Sequence, residues 1–300
     1  IYSVFMKMNK GLFVITMLAT LFFTSCSEFN NIIKSGDYLY RYEAAKQYYA
    51  DGKYTRAVVL LQDVISVLKG TDKGEESLYL LGISAYKARD YEAAANFLKK
   101  YYETYTNGLY TQDARFYNAM ALYKNTPEPK LDQTETYEAV TAFQNLLEIF
   151  PQSIYAKESQ DMIFKLQDKL VEKEYLSAKT YFDLGSYFGN CNFGGNNYQA
   201  CIITAENAMR DYPYSKRRED FAIMLLRVKY LLAVHSVESR KGERLDAAAE
   251  EYYAFANEFP ESNYMAEAKS IFEKTKKKDV SVMAKTEKKA VKDSIQNAKK

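Results

Sequence analysis

Acid–base, redox and metal chemistry all need side chains that can converge, and in this sequence they are scarce. The 300 residues hold one histidine, His235, in the apolar run from Leu225 to Ser236. One histidine makes a His-rich metal site impossible and argues against a His-based triad, so the ring reads as a packing group. The adjacent carboxylates Glu250 and Glu251 have no convergent partner in the sequence and read as solvated charges on a helix, not as an acid–base pair. Gly194 and Gly195 lack the rest of a phosphate-binding loop. Cys191 and Cys201 lie ten apart across a turn rich in Asn and Gly. An oxidising compartment permits a disulfide between them if the hairpin brings their Cα atoms close enough, and two buried thiols are the alternative. The sequence therefore offers no catalytic residue, metal site or cofactor site, and no enzyme is expected.

Tyrosine is abundant instead: 28 Tyr and 17 Phe, with no Trp. Tyr42 and Tyr49, Tyr79 and Tyr86, and Phe116 and Tyr123 are pairs seven residues apart. Seven residues is two helical turns, so each pair shares a helix face. Tyrosine joins an apolar ring to a polar tip, which suits it to holding an extended peptide. These six residues are the candidate peptide groove, with packing between elements as the alternative.

The elements that would position them repeat with a period of 37. Tyr42, Tyr79 and Phe116 are 37 apart, as are Ala45, Gly82 and Ala119, and Tyr49, Tyr86 and Tyr123. Tyr54, Ala57 and Leu61 recur as Tyr91, Ala94 and Leu98. A fixed period of this size is the signature of stacked repeats. Within a unit, Leu78, Leu81, Gly82 and Ala85 fall at i, i+3, i+4 and i+7, one face of a helix. A short turn, Ala50-Asp51-Gly52-Lys53 or Lys87-Ala88-Arg89-Asp90, leads to a second helix at Tyr54 or Tyr91. Small residues at 45, 82 and 119 predict a close approach of the two helices. In the third unit a loop from Asn125 to Gln133 intervenes before the second helix resumes near Tyr137. The later units end on aromatic-Pro-x-Ser: Phe150 to Ser153, Tyr212 to Ser215 and Phe259 to Ser262. Proline stops one helix and serine caps the next. With only 12 Gly and 5 Pro, the composition also favours helices over a β-sandwich or barrel.

The net charge of +2 is unevenly spread: +2 in residues 1–25, +7 in 274–300, and −7 between them. An acidic body does not suit general nucleic-acid binding, which needs a basic surface. The tail from 274 lacks an apolar stripe and reads as a mobile basic extension. At the other end, Lys7 and Lys10 precede an uncharged run from Leu12 to Phe23, with Met6 or Met8 as the expected start. Twelve apolar residues are too few to span a bilayer but suit a signal peptide. Thr24-Ser25-Cys26 follows at once. Phe23-Thr24-Ser25-Cys26 resembles the bacterial lipobox, with Phe23 where that motif usually has an aliphatic residue. The resemblance implies cleavage before Cys26, lipidation of that thiol with several acyl chains, and a protein anchored to a membrane without spanning it.

The helical unit resembles the tetratricopeptide repeat in Leu81-Gly82, in its small-residue positions and in Tyr-x-x-Ala at 54–57 and 91–94. The fold expected is all-α, an α-solenoid of about five tetratricopeptide-like helix hairpins, in which the matching first-helix positions would line a concave groove. The expected divisions are a signal peptide at 1–25, a tether at 26–36, the repeat domain at 37–273 and the basic tail at 274–300. Lipobox, unit number and junction spelling together resemble the BamD family of the outer-membrane β-barrel assembly machinery. The closest stretches are 139–156 and 205–220. The resemblance implies a periplasm-facing scaffold at the outer membrane. Its partners would be a BamA-like β-barrel subunit, through POTRA domains, and unfolded outer-membrane proteins. A repeat lipoprotein serving cell-wall synthesis or another envelope complex is the alternative.

Overall fold

The computed structural model describes residues 28–185 and 196–276, and every regular element among them is a helix. Helix α1 covers 28–34. It is followed by α2 (Tyr38–Ala50), α3 (Tyr54–Val64), α4 (Asp72–Lys87), α5 (Tyr91–Thr104), α6 (Thr111–Asn125) and α7 (Thr134–Ile149). Then come α8 (Ala156–Leu184), α9 (Asn197–Asp211), α10 (Arg218–Val234) and α11 (Glu238–Glu258). Helix α12 covers 265–276. From α2 to α11 the helices form consecutive hairpins of the tetratricopeptide type. No described helix is long and apolar enough to cross a membrane. The signal peptide, Cys26 and Cys191 fall outside the described residues, as does the tail beyond 276.

The 37-residue period appears as repeated backbone geometry. In the first turn the Lys53 N–H donates to the Tyr48 carbonyl at 2.8 Å, and in the second the Asp90 N–H donates to Ala85 at 3.0 Å. Both are the long hydrogen bond of a Schellman-type helix end, which needs a left-handed residue just before it. That residue is Gly52 (φ +74°) in one turn and Arg89 (φ +65°) in the other, again 37 apart. Glycine adopts this conformation freely, whereas Arg89 holds it against steric resistance of roughly 1–2 kcal/mol.

The aromatic-Pro-x-Ser junctions share one geometry as well. In each, the serine Oγ accepts the N–H two residues on: Tyr155 at 3.0 Å, Arg217 at 3.1 Å and Tyr264 at 2.9 Å. The serine N–H donates to the junction aromatic, at 3.0 Å to Phe150 and 3.1 Å to Tyr212 and Phe259. A fourth junction of the same form, Tyr105 to Tyr110, lacks both proline and serine. There Gly108 donates to Tyr105 at 3.0 Å, and the Tyr101 hydroxyl replaces the serine, accepting the Tyr110 N–H at 3.0 Å. The same hydroxyl donates to Glu75 at 2.5 Å, and Glu75 also accepts the Leu109 N–H at 2.7 Å. A Cβ on Gly108 would lie 2.6 Å from the Tyr101 oxygen and 2.5 Å from Glu75, so any side chain there must displace the two groups that hold the junction. Pattern reading missed this junction because the hydroxyl that bonds the Tyr110 N–H comes from Tyr101, nine positions upstream and outside the junction.

The chain divides into two compact units. The first ends at residue 163 and excludes 127–133; the second comprises 127–133 and the residues from 164 on. The first is built on Tyr42, Ala45, Leu60, Leu61, Leu81, Leu98 and Tyr101, all at most 1% exposed. Ala45 and Ala119 are fully buried, and a Cβ on Gly82 would fall 2.6 Å from Leu98 Cγ, so the small-residue positions do mark close helix contact. The tether segment contains α1, whose Phe29 packs edge-on against Tyr48 at 5.5 Å while Ile32 is buried. The second unit is built on Val171, Ala178, Cys201, Ala205, Phe221 and Leu225 around α8, α9 and α10, with Phe255, Ala268 and Ile271 closing it from α11 and α12.

Candidate functional site

The six candidate groove residues do not share one environment. Tyr42 is 1% exposed and Phe116 3%. The Tyr42 hydroxyl donates to Glu76, which also pairs with Lys46 at 2.8 Å, and the Lys46 and Lys73 ammonium groups lie 5.2 and 5.1 Å from the ring. Burial, reinforced by Glu76, pushes the Tyr42 hydroxyl pKa up to about 12. Phe116 stacks on Tyr155 at 4.0 Å. These two rings are structural, because Lys73 and Glu76 of α4 cover Tyr42 and Tyr155 covers Phe116, and a peptide meets no ring face there. Tyr49, Tyr79, Tyr86 and Tyr123 are half-buried.

Tyr79 stacks on Tyr110 at 4.3 Å and meets Tyr101 edge-on at 5.7 Å. Its hydroxyl pKa is driven far up, first by burial and then by the charge of Asp113. Tyr86 meets Tyr91 edge-on at 5.7 Å, as Tyr49 meets Tyr54 at 5.6 Å one repeat earlier. Tyr86 also meets Tyr117 at 5.2 Å, and Tyr117 meets Tyr155 at 6.4 Å. The first helices α2, α4, α6 and α8 thus contribute Tyr49, Tyr79 and Tyr86, Tyr117 and Glu158 in turn, with Tyr155 just ahead of α8. Asp113 accepts the Tyr155 hydroxyl at 3.0 Å. Burial, then Asp113 and Glu158, raises the Tyr117 pKa, so the phenols stay protonated at neutral pH and act as hydrogen-bond donors beside two carboxylates.

Tyr117 and Tyr155 were not in the sequence-derived set. Tyr117 stands 37 after Leu80, so the repeat register assigns it to packing. In the third unit Phe116 is covered by Tyr155, and the next ring along takes the half-buried place beside Tyr86. Among the described residues Tyr123 makes no close ring contact of this kind; its neighbour Lys124 places an ammonium 5.6 Å from its ring. The arrangement is a half-buried row of phenols that can pack apolar rings and donate hydrogen bonds to a backbone.

The remaining candidates separate. Cys201 is buried and its thiol pKa is pushed to about 12 by burial. His235 is not inside the apolar helix but at its C-cap, exposed, with its ring 5.8 Å from Tyr198. Glu251 is not a solvated charge: Lys229 on α10 reaches it at 2.6 Å and Glu206 at 3.1 Å. Helix packing supplied that cation, which lies 22 residues away in sequence. Arg217 joins Glu172 at 2.8 Å and Asp220 at 2.9 Å over the Tyr175 ring, and Arg227 pairs with Glu267 at 2.6 Å. These are ties between helices, each engaged by its neighbours.

Helix hairpins carrying a recessed aromatic row define a helical-repeat protein. The chain belongs to the YfiO family, described as an outer membrane lipoprotein, whose model matches residues 37–192. A curated relative from Aquifex aeolicus, named "Putative outer membrane protein assembly factor BamD", is 24% identical over 171 residues, 56% of this chain and 56% of its own length. The chain thus spans about half the length of that relative. Two solved structures are similar in helical outline. A thermophilic TPR protein of Thermus thermophilus has 14% identity and a TM-score of 0.31, over 78% of this chain and 98% of its own. A TPR repeats protein of Bacteroides fragilis has 12% identity and a TM-score of 0.34, over 88% and 100%. Both overlays are loose, and the hairpin architecture stands on this chain's own helices.

Proposed function

We propose that this chain is a lipid-anchored, periplasm-facing and non-enzymatic scaffold of the machinery that assembles and inserts outer-membrane β-barrel proteins. The observation that carries this reading is the family match, which spans the hairpins bearing the tyrosine row; the relative's name points the same way. In this reading Cys26 takes the lipid, a BamA-like β-barrel subunit is the fixed partner through its POTRA domains, and unfolded outer-membrane proteins are transient ones. The row Tyr49, Tyr79, Tyr86 and Tyr117 holds an aromatic-ended segment: ring packing contributes about 0.5–1.5 kcal/mol per contact, and the phenols donate to its backbone.

The test is a pull-down of the tagged, full-length chain from detergent-solubilised envelopes, with partners identified by mass. Recovery of a large β-barrel with POTRA repeats in stoichiometric amount is the expected result. Recovery of cell-wall enzymes instead would move the function to the alternative envelope adaptor. Depletion supplies a second measurement: outer-membrane barrels should fall together, and normal barrel levels after thorough depletion would sink the proposal. Cys26→Ala should release the chain from the membrane fraction.

A further inference from the structure

The 37-residue register that orders the first unit changes character on α6 in a way that packing does not call for. On α4, Leu78, Leu81 and Ala85 lie at i, i+3 and i+7 and are 6%, 0% and 0% exposed. The same positions on α6 hold Arg115, Asn118 and Leu122. Two apolar core residues are replaced by a cation and an amide. By helical spacing they share the face of α6 turned away from Asp113 and Tyr117, so they have no part in the tyrosine row.

Asn118 and Leu122 are the floor of a groove walled by α5 and α7, with a volume of about 560 Å³. That size is usual for a ligand site. Asn118 is 4% exposed; its Nδ2 donates to the Ala95 carbonyl at 2.8 Å and its Oδ1 accepts the Tyr102 hydroxyl at 3.4 Å. A primary amide has two N–H groups and two lone pairs, so one of each stays open. The walls add two more amides. Asn96 stands where Val59 stands one period earlier, and Asn145 faces the groove from α7. Both are exposed, and neither side chain is bonded to another described residue.

Arg115 lies one turn before Asn118, with its guanidinium carbon 4.3 Å from the centre of the Tyr102 ring, which also lines the groove. Its Nε is buried without an acceptor, and among the described residues no carboxylate or carbonyl bonds its guanidinium. The nearby Glu103 is paired with Lys99 at 4.0 Å. Two periods earlier the register places Arg41, and there the guanidinium is engaged. It pairs with Asp63 of α3 at 3.3 Å and donates to the Ile33 backbone carbonyl. Counted from Tyr54 and Tyr137 in the two second helices, Asp63 corresponds to Leu146, which is fully buried. Arg115 therefore lacks both a carboxylate and a main-chain oxygen, the two acceptors that Arg41 has.

We infer that this groove binds a short acidic segment of a partner protein: Asn96, Asn118 and Asn145 bond its main chain, and Arg115 takes its carboxylate. An acidic peptide supplies both missing acceptors at once, and an Arg–carboxylate bond is the stronger kind. From Asn96 to Tyr102 the α5 wall rises about 9 Å, room for roughly three extended residues. A polyanion fits poorly, because there is one free guanidinium and Glu138 lines the groove near the start of α7. The groove goes beyond the assembly reading and does not depend on it.

The probe is a phage-displayed library of random nonapeptides, panned on the full-length chain. Sequences rich in Asp or Glu are expected to be enriched, and the most enriched is synthesised with a dye for fluorescence anisotropy. Arg115→Leu with Asn118→Leu installs the residues that α4 carries at the same places, and should weaken that peptide about tenfold or more. Tyr86→Ala with Tyr117→Ala should leave its affinity unchanged. Replacing the peptide's acidic residue by the matching amide should weaken binding to the parent chain by a similar factor, a measurement that needs no protein variant. Panning that enriches no acidic sequence would overturn the inference. So would a peptide that binds equally well to the leucine variant, or with its acid replaced. Failure of the pull-down would leave the groove standing, so the two readings fail separately.

Discussion

Replacing Gly82 and Gly242 by alanine, one at a time, makes the same chemical change at two helix-interior sites with opposite expected signs. In a helix, alanine is favoured over glycine by about 1 kcal/mol, mainly because glycine loses more backbone freedom on folding. At Gly242 in α11 the new Cβ would meet nothing within 4 Å, so Gly242→Ala should stabilise by roughly that amount. At Gly82 in α4 the Cβ would land 2.6 Å from Leu98 Cγ, 2.7 Å from Cδ2 and 3.2 Å from the backbone nitrogen. Leu98 is fully buried, so its side chain has no solvent to move into, and the backbone contact yields only if α5 shifts. Overpacking of this kind costs about 1–3 kcal/mol. The helical gain is common to both sites, so the two variants should differ by about 1–3 kcal/mol, with Gly82→Ala the less stable. Urea unfolding followed by circular dichroism reads this as a midpoint shift at unchanged slope, each variant against the parent chain. Equal stabilisation by both changes would refute the close-approach reading of position 82.

Tyr101→Phe removes the hydroxyl that caps Tyr110 and satisfies Glu75, and should cost about 1–3 kcal/mol in urea unfolding. Gly108→Ser alone should also destabilise, through the clash. Combined with Tyr101→Phe it should cost less than the sum, because the Tyr101 oxygen, one of the two groups the serine would displace, is then already gone, and strict additivity would contradict the shared geometry. Arg89→Gly should stabilise by up to about 1 kcal/mol in the same assay by relieving the left-handed residue. Tyr42 links stability to alkaline pH: its pKa rises from 10.0 unfolded to about 12 folded, through burial and then Glu76. Its contribution is therefore complete below pH 10 and is lost as pH rises through about 12, and Tyr42→Phe should flatten that limb of the pH–stability curve. For the tyrosine row, Tyr86→Ala with Tyr117→Ala should weaken binding of aromatic-ended peptides by about tenfold or more while helicity persists, as measured by fluorescence anisotropy. Unchanged affinity would return those rings to packing alone.

The repeat itself was legible in the sequence, because a 37-residue period in small and apolar positions admits few structures other than stacked helix hairpins. The second helices begin at Tyr54 and Tyr91 as the spacing indicates, and the loop after Asn125 ends at Gln133. Each junction serine accepts the N–H two residues on and so fixes the turn ahead of the next helix, a bond written in local sequence.

Tertiary structure decided which rings are recessed and which are buried. Periodicity places Tyr42 and Tyr49 on one helix face, but Glu76 and Lys46 close over the first and leave the second half-open. It assigns Phe116 the role of Tyr79, yet Tyr155, 39 residues further on, covers it and leaves the place beside Tyr86 to Tyr117. The cation beside Glu251 likewise comes from another helix, 22 residues away in sequence. Helix formation and turn chemistry are local and are carried by nearby residues, whereas exposure and pairing depend on what the neighbouring hairpin brings against each side chain.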